Sequence, residues 1–437
     1  MTYKEARVYL DEVSKYGSVL GLDSIRNLLC ELKDPQKNLT FIHIAGTNGK
    51  GSVLAYTSTI LSEAGLRTGR YVSPTVTGYL ERIQVDGQWI SEEIFAELVE
   101  EVQRAIARME ADGKPSPTVF EVETAIAFLY FRKMKCDVVV LETGLGGNLD
   151  ATNIVENTAI AVFATISRDH MGFLGDTLEE IARNKAGIIK PGCLVISAPQ
   201  EEIVKRVLEA KADACGSRVI YADPKQLQVV EESYKGQTFS YKKMENIKIS
   251  LAGRYQLINA ATAWEVIRGW KYLQGEKGTY NVSERAVRDG FQKTQWKGRF
   301  TCISEAPVVI MDGAHNEDAA KRLRESVETY FPGKKLIYLM GVFRDKEYEK
   351  IVELMLPYAK RVYTVDLPDE NRSLDANVLA ETILQTADET VEVHAIGEIE
   401  KAVDLAMSEA TKEDVILAFG SLSYLGRVMQ EVKRNRT

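Results

Sequence analysis

Lys50 and Ser52 stand in the run FIHIAGTNGKGSV, Phe41 to Val53, among Gly46, Gly49 and Gly51. Glycines let successive backbone N–H groups converge on an anion, a lysine adds a point charge, and a serine hydroxyl can meet the magnesium that accompanies phosphates. The run begins apolar (Phe41 to Ala45) and ends in residues of helical apolar spacing (Val53, Leu54, Ile60, Leu61). Strand, glycine loop and helix N-terminus in that order have the logic of a nucleotide phosphate site. The spacing departs from G-x-x-x-x-G-K-[ST], because Gly51 separates Lys50 from Ser52. A glycine-rich turn that binds nothing is the plain alternative.

Other candidates close apolar runs. Ser73 follows the run Arg67 to Val72, Glu142 closes CDVVVLE, and His170 follows Ala159 to Ile166. A hydroxyl, a carboxylate and an imidazole on phosphate oxygens suit a magnesium site, although imidazole is the less usual ligand for so hard a cation. Singly each has a structural alternative: a turn-starting serine, a hydrogen-bonded histidine. Glu142 weighs most, because a carboxylate ending a run of valines and a leucine is costly unless something positive meets it. Lys185, in ARNKAGIIKPG, reads by default as a surface lysine. MDGAHN, Met311 to Asn316, again places an acid and a histidine between strand and helix, with capping by Asp312 and Asn316 as its alternative.

The elements that must position these residues alternate. Helices are expected near the N-terminus (Tyr9, Val13 and Tyr16 on one face, then Leu22 to Leu32, ended by Pro35), from Ser91 to Met109, Phe120 to Met134, Thr177 to Ala186 and Gln256 to Tyr272. Strands are expected at the apolar runs above and at Leu194 to Ser197. Asp86-Gly87 is expected to turn a hairpin, and Tyr221 to Leu251 to add antiparallel strands. Beyond Trp296 to Phe300, which reads as a linker, strands recur at Val308 to Met311, Leu336 to Met340, Val362 to Val365 and Val415 to Phe419. The implied fold is α/β: a P-loop, doubly wound ATPase domain over residues 1–296, then a smaller Rossmann-like domain over 297–437.

Composition agrees. A chain of 437 residues exceeds one ordinary core. Its net charge of −8 offers no basic footprint for nucleic acid. No run is long and apolar enough for a membrane, no secretory signal opens the chain, and five scattered cysteines without CxxC spacing fit a reducing cytoplasm.

Together, AGTNGKGS, ETGLGGNLDATN, DHMGFLGDTLEEIARNKAGIIKPG, GRYQLINAATA and MDGAHN resemble, in order, the signature blocks of the folylpolyglutamate and dihydrofolate synthases, a branch of the Mur ligases. The unusual loop spacing is that family's own. The resemblance implies ATP contacts at Asn48, Gly49, Lys50, Gly51, Ser52, Asn259, Arg299, Asp312 and His315, with ATP between the domains. It implies magnesium at two sites, with Ser52, Ser73, Glu142 and His170 as ligands, and a monovalent cation as a further expectation. Lys185 matches a lysine that is carbamylated in family members, and Lys50, Lys185, His170 and Glu142 are the implied catalytic residues. Thr118, Val119, Phe120 and Glu121, with Leu149, Asp150, Ala151, Gly21, Leu22 and Asp23, match folate-pocket positions.

Thr75, Tyr255 and Asn148 depart from the family pattern, in which histidine is common at the first two and arginine at the third. The implied reaction is phosphoryl activation of a carboxylate, attack by the amino group of L-glutamate, and release of ADP and phosphate. Polyglutamylation of reduced folates, addition of the first glutamate to dihydropteroate, or both remain open, with Asn148 favouring the first. Only about 40 residues precede the phosphate loop, fewer than a domain's usual lower limit, which argues against a cell-wall ligase. A nucleotide-binding regulator without activity is disfavoured by the joint presence of Lys50, Ser73, Glu142, His170 and Lys185. A monomer is expected.

Overall fold

Valine-rich runs bounded by loops fold as strands buried on both faces, the pattern of a parallel sheet covered by helices. The computed structural model describes residues 1–13, 21–168, 174–275 and 281–435. Within them the chain folds as two compact units. The first comprises Met1–Ser73, Tyr79–Leu227 and Ile258–Lys293; the second comprises Pro74–Gly78, Gln228–Leu257 and Thr294–Thr437.

The first unit holds a sheet of β1 (Phe41–Ala45), β2 (Thr68–Tyr71), β3 (Ile83–Val85), β4 (Gln88–Trp89), β5 (Val138–Glu142), β6 (Thr158–Phe163), β7 (Leu194–Ser197) and β8 (Arg218–Tyr221). Their spatial order is β4-β3-β2-β5-β1-β6-β7-β8. From β2 to β8 the neighbours run parallel, and β3 and β4 add an antiparallel edge. The chain leaves β1 toward β2 and β5 on one side and returns to β6, β7 and β8 on the other. The order therefore reverses beside β1, where ligands bind in open α/β sheets. Asp86 and Gly87 both take positive φ (51° and 76°), the paired left-handed geometry of a two-residue hairpin turn.

The helices that frame this sheet are α1 (Tyr3–Val13), α2 (Asp23–Glu31), α3 (Lys50–Glu63), α4 (Glu92–Ala111), α5 (Val119–Lys133), α6 (Leu178–Lys185) and α7 (Glu202–Ala214), with α8 (Tyr255–Gln274) and α9 (Glu284–Lys293) following. α3 is buried almost all round, as a helix lying on a sheet and covered by others must be. α2 stops before Pro35. Lys33 and Asp34 take positive φ (61° and 47°), and Pro35 opens a 3₁₀ turn instead of ending the helix.

The second unit holds β9 (Leu227–Ser233), β10 (Gly236–Tyr241) and β11 (Met244–Ile249) in the order β11-β10-β9, with β10 and β11 antiparallel. Its larger sheet, β12 (Thr301–Glu305), β13 (Val308–Met311), β14 (Leu336–Met340), β15 (Ala359–Val365), β16 (Glu392–Gly397) and β17 (Val415–Phe419), has the order β12-β13-β17-β14-β15-β16 and is parallel from β13 to β16. β8, β12 and β16 are strands that a search for apolar runs passes over. Each is an outer strand of its sheet and is largely exposed or half-buried, so burial does not demand an apolar sequence. Among the described residues no helix is long and apolar enough to cross a membrane.

α6 matters for the site because Lys185 is its last residue. It starts with a reciprocal capping box, in which Thr177 Oγ1 accepts from Glu180 N–H and Glu180 accepts from Thr177 N–H. Thr177→Ala is expected to lower stability by about 1 kcal/mol, read as a lower urea midpoint.

Candidate active site

Strand register sets the first grouping. β1 pairs with β5 through Ile44 and Glu142, and β5 with β2 through Leu141 and Tyr71. The glycine loop after β1, Glu142 at the end of β5 and Ser73 just past β2 therefore leave the same edge on adjacent strands. Adjacent strands lie about 4.8 Å apart. Lys50 is the first residue of α3, and Ser52 lies in its first turn, almost fully buried. A helix of 14 residues thus directs its free N–H groups and positive end into the loop.

Gly49 shows why glycine is needed. It takes φ 92°, and a Cβ there would stand 2.5 Å from Asn259 Oδ1. Asn259, on α8, therefore lies against the loop. Thr47 N–H and Asn48 N–H donate to Thr165 O at 2.8 and 3.2 Å. Thr47 Oγ1 donates to Ser167 O at 2.9 Å and accepts from Ser167 N–H at 3.0 Å. Thr47 was not among the sequence candidates, and only its place inside the glycine run could have drawn attention to it. Lys50 Nζ donates to Thr47 O at 3.3 Å.

Lys185 is not a surface lysine. It is buried, and its Nζ donates to Gly46 O at 2.9 Å. α6 thereby delivers a cation onto the phosphate loop from 139 residues away in sequence. Ser73 Oγ and Thr143 Oγ1 are buried with no hydrogen-bond partner among the described residues, beside the buried Glu142. Ser52, Ser73 and Glu142 are oxygen donors, the type a hard divalent cation prefers, and an orphaned hydroxyl such as Ser73 Oγ suits that use. These residues fit magnesium. His170 lies outside the described residues, as does Tyr16 of the expected N-terminal face.

The folate-pocket candidates converge by a different set of bonds. Glu121 closes a capping box with Thr118 at the start of α5, and its Oε1 accepts from Ile25 N–H at 3.0 Å in the first turn of α2. The Gly21–Asp23 stretch and the Thr118–Glu121 stretch are tied together there. Thr118 and Glu121 are thus buried structural clasps, whereas Val119 and Phe120 are half-buried. A Cβ on Gly144 would lie 2.5 Å from the Phe120 ring, so α5 also touches the loop after β5. In that loop Leu149 is 42% exposed, Ala151 is buried, and Asp150 accepts from Leu145 N–H at 2.8 Å and Thr152 N–H at 3.0 Å.

The second unit gathers Arg299, Asp312, His315 and Tyr255. β12 and β13 pair through Thr301 and Met311, and Gly313 N–H donates to Gly298 O at 2.9 Å, so Arg299 and Asp312 leave one end of the hairpin. Asp312 Oδ2 accepts from Tyr255 Oη–H at 2.9 Å and Phe300 N–H at 2.8 Å; Oδ1 accepts from Ala314 N–H at 2.8 Å. Burial raises the Asp312 pKa, while Arg299 and these donors hold it down. Burial, with the Asp312 charge adding to it, pushes the Tyr255 phenol well above its usual value, so this departure from the family's histidine is a neutral donor. His315 Nδ1 lies 2.8 Å from Gly313 O, which can only accept, so Nδ1 carries a proton. Asn316 caps the next helix, α10 (Glu317–Tyr330), by accepting from Ala319 N–H at 2.9 Å.

Two family models match this chain: the Mur ligase middle domain over residues 44–267 and the Mur ligase glutamate ligase domain over 298–422. The dihydrofolate synthase/folylpolyglutamate synthase of Bacillus subtilis is 32% identical to it across 99% of both chains. This chain belongs to the folylpolyglutamate and dihydrofolate synthase family of Mur ligases. Among solved relatives, the folylpolyglutamate synthase of Thermotoga maritima has a TM-score of 0.84 at 31% identity, covering 99% of this chain and 97% of its own. The Escherichia coli enzyme FolC, solved in complex with DHPP and ADP, has a TM-score of 0.86 at 29% identity, covering 100% and 99%. As a member of this family the chain is an ATP-dependent ligase.

The Gly49 geometry gives a direct test. Gly49→Ala must displace Asn259 or the loop, and is expected to weaken ADP binding by at least about tenfold, the equivalent of 1.4 kcal/mol, in isothermal titration, with an unchanged circular dichroism spectrum.

Proposed function

We propose that this ligase adds L-glutamate to the glutamate tail of tetrahydrofolates through an acyl phosphate. The observation that carries the reading is the shared edge of β2, β5 and β1, where the glycine loop with Lys50 and Ser52, the Ser73 hydroxyl, without a partner among the described residues, and the buried Glu142 leave adjacent strands. Loop N–H groups and Lys50 hold the phosphates and oppose the charge that builds on the transferring phosphoryl group, a step that depends on positioning and electrostatics. Magnesium held by Ser52, Ser73 and Glu142, with His170 as the remaining assigned ligand, neutralises further phosphate charge when bound. Two such ions and a monovalent cation belong to this reading. So does carbamylation of Lys185: a carbamylated Nζ keeps one N–H, enough for its bond to Gly46 O. The amine of glutamate then attacks the acyl phosphate, giving an amide, ADP and phosphate, with no protein nucleophile.

The folate lies against Gly21, Leu22 and Asp23, Thr118 to Glu121, and Leu149 to Ala151. ATP also meets Asn259, Arg299, Asp312 and His315, with residues 1–296 serving ATP and folate and 297–437 the ligation of glutamate. Tetrahydrofolate is favoured over dihydropteroate by Asn148, exposed in the loop after β5 where arginine is common in the family. The protein acts as a cytoplasmic monomer.

ATP-dependent incorporation of labelled glutamate, with tetrahydrofolate and dihydropteroate offered in parallel, tests both levels. Incorporation with tetrahydrofolate is expected. Incorporation with dihydropteroate alone would overturn the substrate, and with neither, the reaction. Lys50→Ala is expected to lower turnover by more than about a hundredfold with the fold intact; a fully active variant would remove Lys50 from its role.

A further inference from the structure

His43 is a polar residue in an otherwise apolar strand. It lies at the centre of β1, between β5 and β6, paired with Leu141 on one side and Ala161 on the other, and is wholly buried. An imidazole there is costly unless a hydrogen bond repays it. It makes one: Nε2 lies 2.9 Å from Thr152 Oγ1.

The direction of that bond follows from counting protons. Thr152 Oγ1 has a single hydrogen and donates it to the Asp150 carboxylate. The hydroxyl can then only accept from His43, so the imidazole proton sits on Nε2. Nδ1 is left as a bare acceptor with no partner among the described residues. Burial first, and the charge of Lys190 second, hold the His43 pKa down to about 3, which keeps the ring neutral and the relay in one polarity. Imidazole, hydroxyl and carboxylate thus form a one-way chain from the middle of the sheet to its loop edge.

At the far end Asp150 Oδ1 takes Thr152 N–H and Oγ1–H, and Oδ2 takes Leu145 N–H at 2.8 Å. Asp150 N–H itself donates to Gly147 O at 3.2 Å. This one carboxylate therefore fastens both ends of the Leu145–Thr152 loop, whose tip exposes Leu149. Rotation of the Thr152 side chain would break its Oγ1–H bond to Asp150 and its bond from His43 at once. The bond from the His43 N–H opposes that rotation.

We propose that His43 is a positioning residue for the folate: through Thr152 it fixes the Asp150 carboxylate and the loop that presents Leu149 to Ala151. It rests on the reading that this loop faces the folate. His43 touches no reacting atom, so its removal is expected to act on folate affinity and to spare the ATP site, whose contacts from Lys185, Ser167 and Asn259 to the glycine loop do not involve the imidazole.

The test uses the purified full chain with monoglutamyl tetrahydrofolate, ATP and L-glutamate, together with equilibrium binding of the folate and of ADP. His43→Leu and Thr152→Val are each expected to raise the folate KM and Kd by about tenfold, with ATP KM and ADP Kd within about twofold. Because both act through one relay, the double variant is expected to be no worse than either single one. His43→Gln, whose amide N–H can stand where Nε2–H stood, is expected to recover most of the loss. A purely structural histidine would raise folate and ATP constants together or give no rescue by glutamine, and either result overturns the proposal. If His43→Leu fails to fold, Thr152→Val, which keeps the imidazole and the shape of the threonine, reads the same constants. Wild-type protein that binds folate beside variants that match it would sink the proposal alone; wild-type protein that binds no folate would sink the functional reading and the proposal with it.

Discussion

The parallel ladder through β2, β5, β1 and β6 is the constraint on which the first unit depends. Parallel strands bring all their carboxyl ends to one edge, and the evenly spaced hydrogen bonds leave no freedom in register while both faces are buried. Ile44 against Glu142 and Leu141 against Tyr71 are thus more than pairings. They fix that a glycine loop, a carboxylate and a serine leave the sheet side by side. A slip of one residue in β5 would turn Glu142 into the opposite layer and Leu141 into the site. Burial along the whole strand penalises that slip, because the Glu142 carboxylate would then enter an apolar layer.

The loop so placed is then closed from the side. Lys185 reaches Gly46 O, Thr47 is clasped by Ser167, and Asn259 fills the space that the missing side chain of Gly49 leaves. A loop rich in glycine has much backbone entropy to lose on ordering. These three contacts come from α6, the segment after β6 and α8, and they impose that order before any phosphate arrives. The lysine is the notable one, since its buried Nζ meets a backbone carbonyl of the loop rather than solvent.

Much of this was legible in the sequence. The apolar runs marked β1, β5, β7, β13, β14 and β17, the signature blocks marked Lys50, Ser52 and Glu142, and the run Arg67 to Val72 marked Ser73 just past its strand. Outer strands such as β8 and β16 escaped because exposure removes the apolar signal that burial writes into a strand. Lys185 read as a surface residue from its neighbours alone, because burial by a distant loop leaves no local periodicity. Thr118 and Glu121 illustrate the converse. Their pattern was visible as part of a pocket, yet their polar atoms close a capping box and a tie to α2, a role that needs three dimensions to see. Tyr255 stood out only as a departure, and its bond to Asp312 explains how a phenol can stand in for an imidazole as donor.

Buried polar groups in this chain fall into two kinds. Asp150 and Asp312 each collect three or more donors from backbone and hydroxyl groups, as buried carboxylates in a finished structure do. Each fastens the loop that follows its strand. Ser73 Oγ and Thr143 Oγ1, on the neighbouring ends of β2 and β5, have no partner among the described residues although both are buried. Leaving a hydroxyl so costs about 1–3 kcal/mol, a cost that two adjacent strands would not both carry without compensation. That edge is where the ladder has already placed Glu142 and the glycine loop, and the proposed nucleotide and metal would bring their own charge and oxygen atoms to it.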